Sequence, residues 1–173
     1  MIAVDRVGHD WADEPPQRGA THMYRHILLP VGTDASVHAA RHGIELAHVL
    51  KAKITVVTVT TPWAAQFSRE LAAVVPDVVV PESEYERKAQ AVATMMLERL
   101  AGAAKTAGVP CKTMHLRHRR PSVAILGAAS AQACDLVVMG SQASGGLTGA
   151  LLGSETLAVL THGTTPVIVY RQG

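Results

Sequence analysis

Hydrophobic and polar positions fall into blocks along the chain, and the blocks change period. RHILLPV, from Arg25 to Val31, is a short apolar run with no helical repeat, which predicts a strand buried on both faces. From Ser36 to Lys51 the apolar residues Val37, Ala40, Ile44, Ala47 and Leu50 recur at helical intervals, with His38, Arg41, His42, Glu45 and His48 opposite them. That is the stripe of an amphipathic helix. KITVVTVT, Lys53 to Thr60, is rich in β-branched residues and too short for an independent helix, so it predicts a second strand.

Residues 61–82 are interrupted by Pro62, Pro76 and Pro81, with space for one short helix in RELAAVV. Ser83 and Glu86 then stand at capping-box spacing. Tyr85, Ala89, Val92, Met96, Leu100, Ala103 and Ala107 form the apolar stripe of a long helix closed by Gly108 and Pro110. A third strand fits Cys111 to Arg117, a helix with proline in its first turn fits Pro121 to Ala133, and CDLVVMG fits a fourth strand. A last helix from Ser154 to His162 ends at Gly163, and TPVIVY supplies a fifth strand whose Pro166 suits a sheet edge. Strands alternating with helices in this way predict an α/β fold, a doubly wound five-stranded parallel sheet of Rossmann-like type. Ligands of such folds sit beyond the carboxyl ends of the strands, where the winding reverses.

Composition narrows the picture without changing it. A chain of 173 residues fits one domain. Residues 1–22, with Asp5, Asp10, Asp13, Glu14 and a Pro15-Pro16 pair, read as a flexible tail ahead of a domain over residues 23–173. No apolar run approaches the roughly 18 residues that a bilayer span needs, so no membrane is expected. Sixteen Lys and Arg against fourteen Asp and Glu, and 3% aromatic residues, are too even and too sparse for a nucleic-acid surface. Cys111 and Cys134 lack CxxC spacing and read as free thiols, which places the chain in a reducing cytoplasm.

Candidate chemistry concentrates in MGSQASGGLTGALLGSET, Met139 to Thr156, between the fourth strand and the last helix. Glycines there admit phosphate oxygens to the backbone, the helix start offers amide donors, and Ser154 adds a hydroxyl that also suits a cap. The bland alternative is a surface connection with no ligand. The loop has no lysine, which excludes GxxxxGK[ST], and SGGLTG resembles the pyrophosphate loop of adenylating enzymes in neither position nor residues. No GxSxG, paired carboxylates or cysteine with a histidine partner is in evidence, so no catalytic residue is assigned and an enzyme is not expected. His38 and His42 have zinc spacing with Glu45 as a third ligand, but a solvated helix face is the favoured reading and no metal site is assigned. RHRR, Arg117 to Arg120, reads as a solvated turn away from the pocket.

Taken together, YRHILLPVGTDAS, RHGIELA, ITVVTVT, CDLVVMGSQASGGLTGALLGSETLAVL and TPVIVY resemble a universal stress protein over residues 24 to 171. The resemblance implies strand order 3-2-1-4-5 and, in one branch of the family, ATP or AMP, with or without magnesium, at the strand 1/strand 4 switch point. That branch carries GxxG, nine residues, then Gly-Ser or Gly-Thr; here Gly140, Gly153 and Ser154 match at the nine-residue interval, with Ala143 in the second glycine position. Carried over, Met139, Gly140 and the backbone at Ala143 border the ribose and phosphates, Gly153, Ser154 and Glu155 meet the terminal phosphates, and Pro30, Val31 and Val59 line the adenine pocket. Nucleotide-binding members usually have an Asp two residues after this proline, where Gly32 stands; Asp34 either takes that role or, as favoured, caps the first helix with Ser36. Ala143 is harmless at negative φ and strained at positive φ.

The expectation is a cytoplasmic, nucleotide-binding stress protein that acts through an unidentified protein partner. The alternative is an interaction protein of the same fold that has lost the nucleotide. Under either, Pro166 to Tyr170 is an exposed edge strand expected to pair with its copy in a homodimer.

Overall fold

A computed structural model describes residues 23–66, 81–141 and 153–171. Residues 1–22, RELAAVV and most of the glycine-rich loop, Ala143 included, lie outside the described residues, as do the side chains of Asp34 and Gln66. The elements in chain order are β1 (His26–Val31), α1 (Asp34–Leu50), β2 (Lys53–Thr60), α2 (Trp63–Gln66), α3 (Glu82–Thr106), β3 (Cys111–Arg117), α4 (Pro121–Ala131), β4 (Leu136–Gly140), α5 (Ser154–His162) and β5 (Val167–Tyr170).

All five strands are parallel and ordered β3-β2-β1-β4-β5, so the winding reverses between β1 and β4. Successive side chains of a strand point to opposite faces, and the core divides accordingly. Ile27, Leu29 and Val31 of β1 pack with Val37, Ala40, Ile44 and Ala47 of α1 and Leu97, Leu100 and Ala104 of α3. On the other face Leu28, Val57, Val137 and Met139 pack with Ile125, Ala128 and Ala129 of α4 and Val159 of α5. The apolar runs of the central strands have no polar face because both sides meet helices. The start of β1 is fixed by Asp135, whose carboxylate accepts the Arg25 and His26 amides at 2.8 and 2.9 Å.

Two expectations for α3 are corrected. It starts at Glu82 behind Pro81 with no side-chain cap, so the Ser83–Glu86 box does not form; Glu86 is drawn instead to Arg117 of β3. Its buried line is Ala93, Leu97, Leu100 and Ala104, one residue on from Val92 and Met96, and Val92 is 47% exposed. Tyr85 turns its hydroxyl to the Thr61 carbonyl at 2.9 Å, tying the helix start to the end of β2.

Candidate functional site

Three helix starts converge beyond the carboxyl ends of β1, β2 and β4. The cleft between them, of ≈ 240 Å³, is walled by Pro30 to Thr33 and Ser36, by Val57 and Val59, by Pro121 and Ile125, by Met139 and Gly140, and by Gly153 to Thr156. Nine of the residues singled out in the sequence meet there: Pro30, Val31, Gly32, Val59, Met139, Gly140, Gly153, Ser154 and Glu155. The backbone of Asp34 opens α1 at the edge of this cleft. The cleft also has walls the sequence did not announce, Thr33, Ser36, Val57, Pro121, Ile125 and Thr156.

The start of α1 carries its own cap. Thr33 is its N-cap, in extended conformation, and its hydroxyl accepts the Ser36 amide at 3.4 Å while Ser36 Oγ accepts the Gly32 and Thr33 amides at 2.9 Å each. This reciprocal box stands where Asp34 was expected to cap with Ser36; Asp34 is already the first helical residue. Ser36 offers a hydroxyl at the third helical position, and a hydroxyl one residue before Asp34 completes the pair.

The start of α4 is satisfied from outside. Arg120 precedes Pro121 without a side-chain cap, and the Ser122 amide donates to Glu155 Oε2 of α5 at 2.6 Å. A carboxylate at a helix start is favoured by the aligned peptide dipoles, so Glu155 holds two helices together as it lines the cleft. The RHRR turn therefore lies nearer the cleft than the sequence suggested, since its next residue is a wall.

The start of α5 differs from both. Gly153 is its N-cap and carries no side-chain cap hydrogen bond, so Ser154 does not cap; it is the first helical residue and exposed. Buried Thr156 donates to the Gly140 carbonyl at 3.2 Å and pins this turn to β4. Gly140 is set by packing: a Cβ there would lie 3.0 Å from the Ala35 carbonyl oxygen and 3.2 Å from Ser36 Cα. Gly32 is the opposite case, with nothing within 4 Å of the position a Cβ would take.

Among the described walls Glu155 is the only ionisable side chain, and none is a lysine, arginine, histidine or cysteine. The arrangement is suited to holding a ligand by apolar contact, hydroxyls and backbone groups rather than to proton transfer. Elsewhere, His42 stacks on Tyr170 of β5 with ring centroids 4.5 Å apart, and its Nδ1 lies 3.3 Å from Glu45. Among the described residues no three metal-ligating side chains gather, and no helix is long and apolar enough to cross a membrane.

Comparison with known proteins adds to this geometry. A model of the universal stress protein family matches residues 23–171. A universal stress protein of Mycobacterium tuberculosis is 40% identical over 96 residues, covering 55% of this chain and 32% of its own length, so the chain spans about a third of that relative. A solved universal stress protein in complex with cAMP superposes with a TM-score of 0.60 at 21% identity, covering 86% of this chain and 97% of its own. One from Archaeoglobus fulgidus in complex with dAMP does so with a TM-score of 0.55 at 17% identity, covering 85% and 98%.

Proposed function

The chain belongs to the universal stress protein family, and from that premise we propose that it binds an adenine nucleotide, ATP or AMP, in the cleft between β1 and β4. It acts on this reading as a cytoplasmic stress-response protein through a protein partner and not as an enzyme. The observation that carries the reading is the meeting of Gly140, Gly153 and Ser154, far apart in the loop motif, with Pro30, Val31 and Val59 around one cleft. The complexes of related folds with cAMP and dAMP support an adenine ligand. Apolar Val31, Val57 and Val59 suit the base. The start of α5, left without a side-chain cap, suits the phosphates. Magnesium, if it accompanies the nucleotide, has Glu155 as the one carboxylate among the described walls.

A second reading, an interaction protein without nucleotide, is favoured by Gly32 in the place of an Asp and by the lack of a cationic side chain among the described walls. Under both readings β5, hydrogen-bonded only to β4 among the described strands, pairs through its other edge with a second copy.

Mass spectrometry of ligand released from freshly purified protein, with calorimetric titration by ATP and AMP with and without magnesium, tests the assignment. Saturable micromolar binding that weakens in Ser154→Ala supports the first reading; no heat at millimolar nucleotide supports the second. Sedimentation across a concentration series tests the dimer.

A further inference from the structure

Glu155 is the second residue of α5, next to exposed Ser154, and it is half-buried in the wall of the cleft. No other described wall residue has an ionisable side chain. The carboxylate is held by the neighbouring helix: Oε2 accepts the Ser122 amide at 2.6 Å, a charge-assisted bond to the first turn of α4. From its own side it is held by the turn it stands on, because Thr156 is pinned to the Gly140 carbonyl at 3.2 Å. Among the described residues no lysine, arginine or histidine is ion-paired with Glu155. The aligned peptides of α4 and α5 together bring about one positive charge to their starts. One carboxylate cancels it.

We propose that Glu155 determines how many phosphates the cleft accepts, and that it selects a nucleoside monophosphate over the metal-free triphosphate. The inference rests on the nucleotide reading of the cleft, in which the phosphates lie against the start of α5. A single phosphate there can take the Ser154 hydroxyl and the amides of the first turn, and it brings the least negative charge to the fixed carboxylate. Each further phosphate adds charge beside Glu155, and no cationic side chain among the described walls offsets it. The carboxylate retreats only by giving up the Ser122 amide. Two like charges about 4 Å apart shift an equilibrium about fivefold even at the dielectric of bulk water, and further in a half-buried site. Discrimination by charge therefore needs no steric barrier and no residue beyond Glu155.

The test is calorimetric titration of the full chain with AMP, ADP and ATP, at constant ionic strength and in chelator, because magnesium would mask the phosphate charge. The wild type should bind AMP at least about fivefold more tightly than ATP, with ADP between them. In Glu155→Gln the ratio of the ATP to the AMP dissociation constant should fall at least about fivefold, and in Glu155→Lys it should fall further. Glutamine keeps an oxygen to accept the Ser122 amide, so this variant holds its fold, which an unchanged melting temperature verifies, and its ratio decides the matter if the lysine variant does not fold. ATP bound as tightly as AMP by the wild type, or a ratio that Glu155→Gln leaves unchanged, overturns this inference alone. Binding of neither nucleotide by wild type or variants overturns the reading of the cleft beneath it.

Discussion

The starts of α1 and α5 face one cleft and are built in opposite ways. At α1 two hydroxyls, Thr33 and Ser36, take up the amides of Gly32, Thr33 and Ser36, so the turn into this helix is held by its own side chains. At α5 a glycine precedes the first turn, no side chain among the described residues caps it, and the hydroxyl-bearing Ser154 is exposed. One helix start carries a hydroxyl box and the other has none among the described residues, while the start of α4 takes a carboxylate from α5. An N-terminus becomes a ligand position when its neighbours decline to cap it.

The largest test of this contrast adds a charge on the α1 side. Gly32→Asp places a carboxylate where no atom lies within 4 Å of the new Cβ. A charge-assisted hydrogen bond contributes about 1.5–3 kcal/mol, so nucleotide affinity by calorimetry should rise about ten- to a hundredfold; an unchanged affinity would separate Gly32 from the site. Next comes the same small substitution at two glycines. Gly140→Ala forces a methyl against Ala35 and Ser36 and should lose about 1–3 kcal/mol, read as a lowered midpoint in urea. Gly32→Ala should gain about 0.4–1 kcal/mol by restricting the unfolded chain.

The caps themselves come third. Thr33→Ala should cost about 0.5–2 kcal/mol of stability, whereas Ser154→Ala should leave the melting temperature in place and weaken the nucleotide. If the two variants behaved alike, the contrast between closed and open ends would collapse. The smallest effect is one of pH. Burial first, then the nearby Lys53 or Arg117 charge, lowers the pKa of His26 and His115 from 6.5, so the unfolded chain binds more protons in acid. Stability is complete above about pH 6.5 and declines as the pH falls towards the lowered values. Denaturant midpoints between pH 7.5 and 5 check the sign.

Much of this was legible in the chain. The apolar runs of β1, β2 and β4, alternating with helical stripes, point to a parallel sheet covered on both faces, and Gly140, Gly153 and Ser154, singled out by their interval, line one cleft. Less legible were features decided by partners distant in sequence. Glu86 had the spacing of a capping box, but an arginine on β3 offered it a full charge. On α3, small alanines on either side of the stripe left the period unable to distinguish Val92 from Ala93 until β2 and β3 chose. The second role of Glu155, accepting the Ser122 amide, had no local signal because Ser122 stands 33 positions earlier. Thr33 was overshadowed by the stronger capper beside it.

Of the two thiols, Cys134 is buried, with its pKa pushed up to about 11, while Cys111 is exposed at the start of edge strand β3. A maleimide dye should therefore attach at one position without prior mutagenesis. Burial also raises the Cys111 pKa, so labelling will need mildly alkaline buffer. The fluorophore would then stand at the start of edge strand β3, at the end of the sheet opposite the proposed nucleotide cleft.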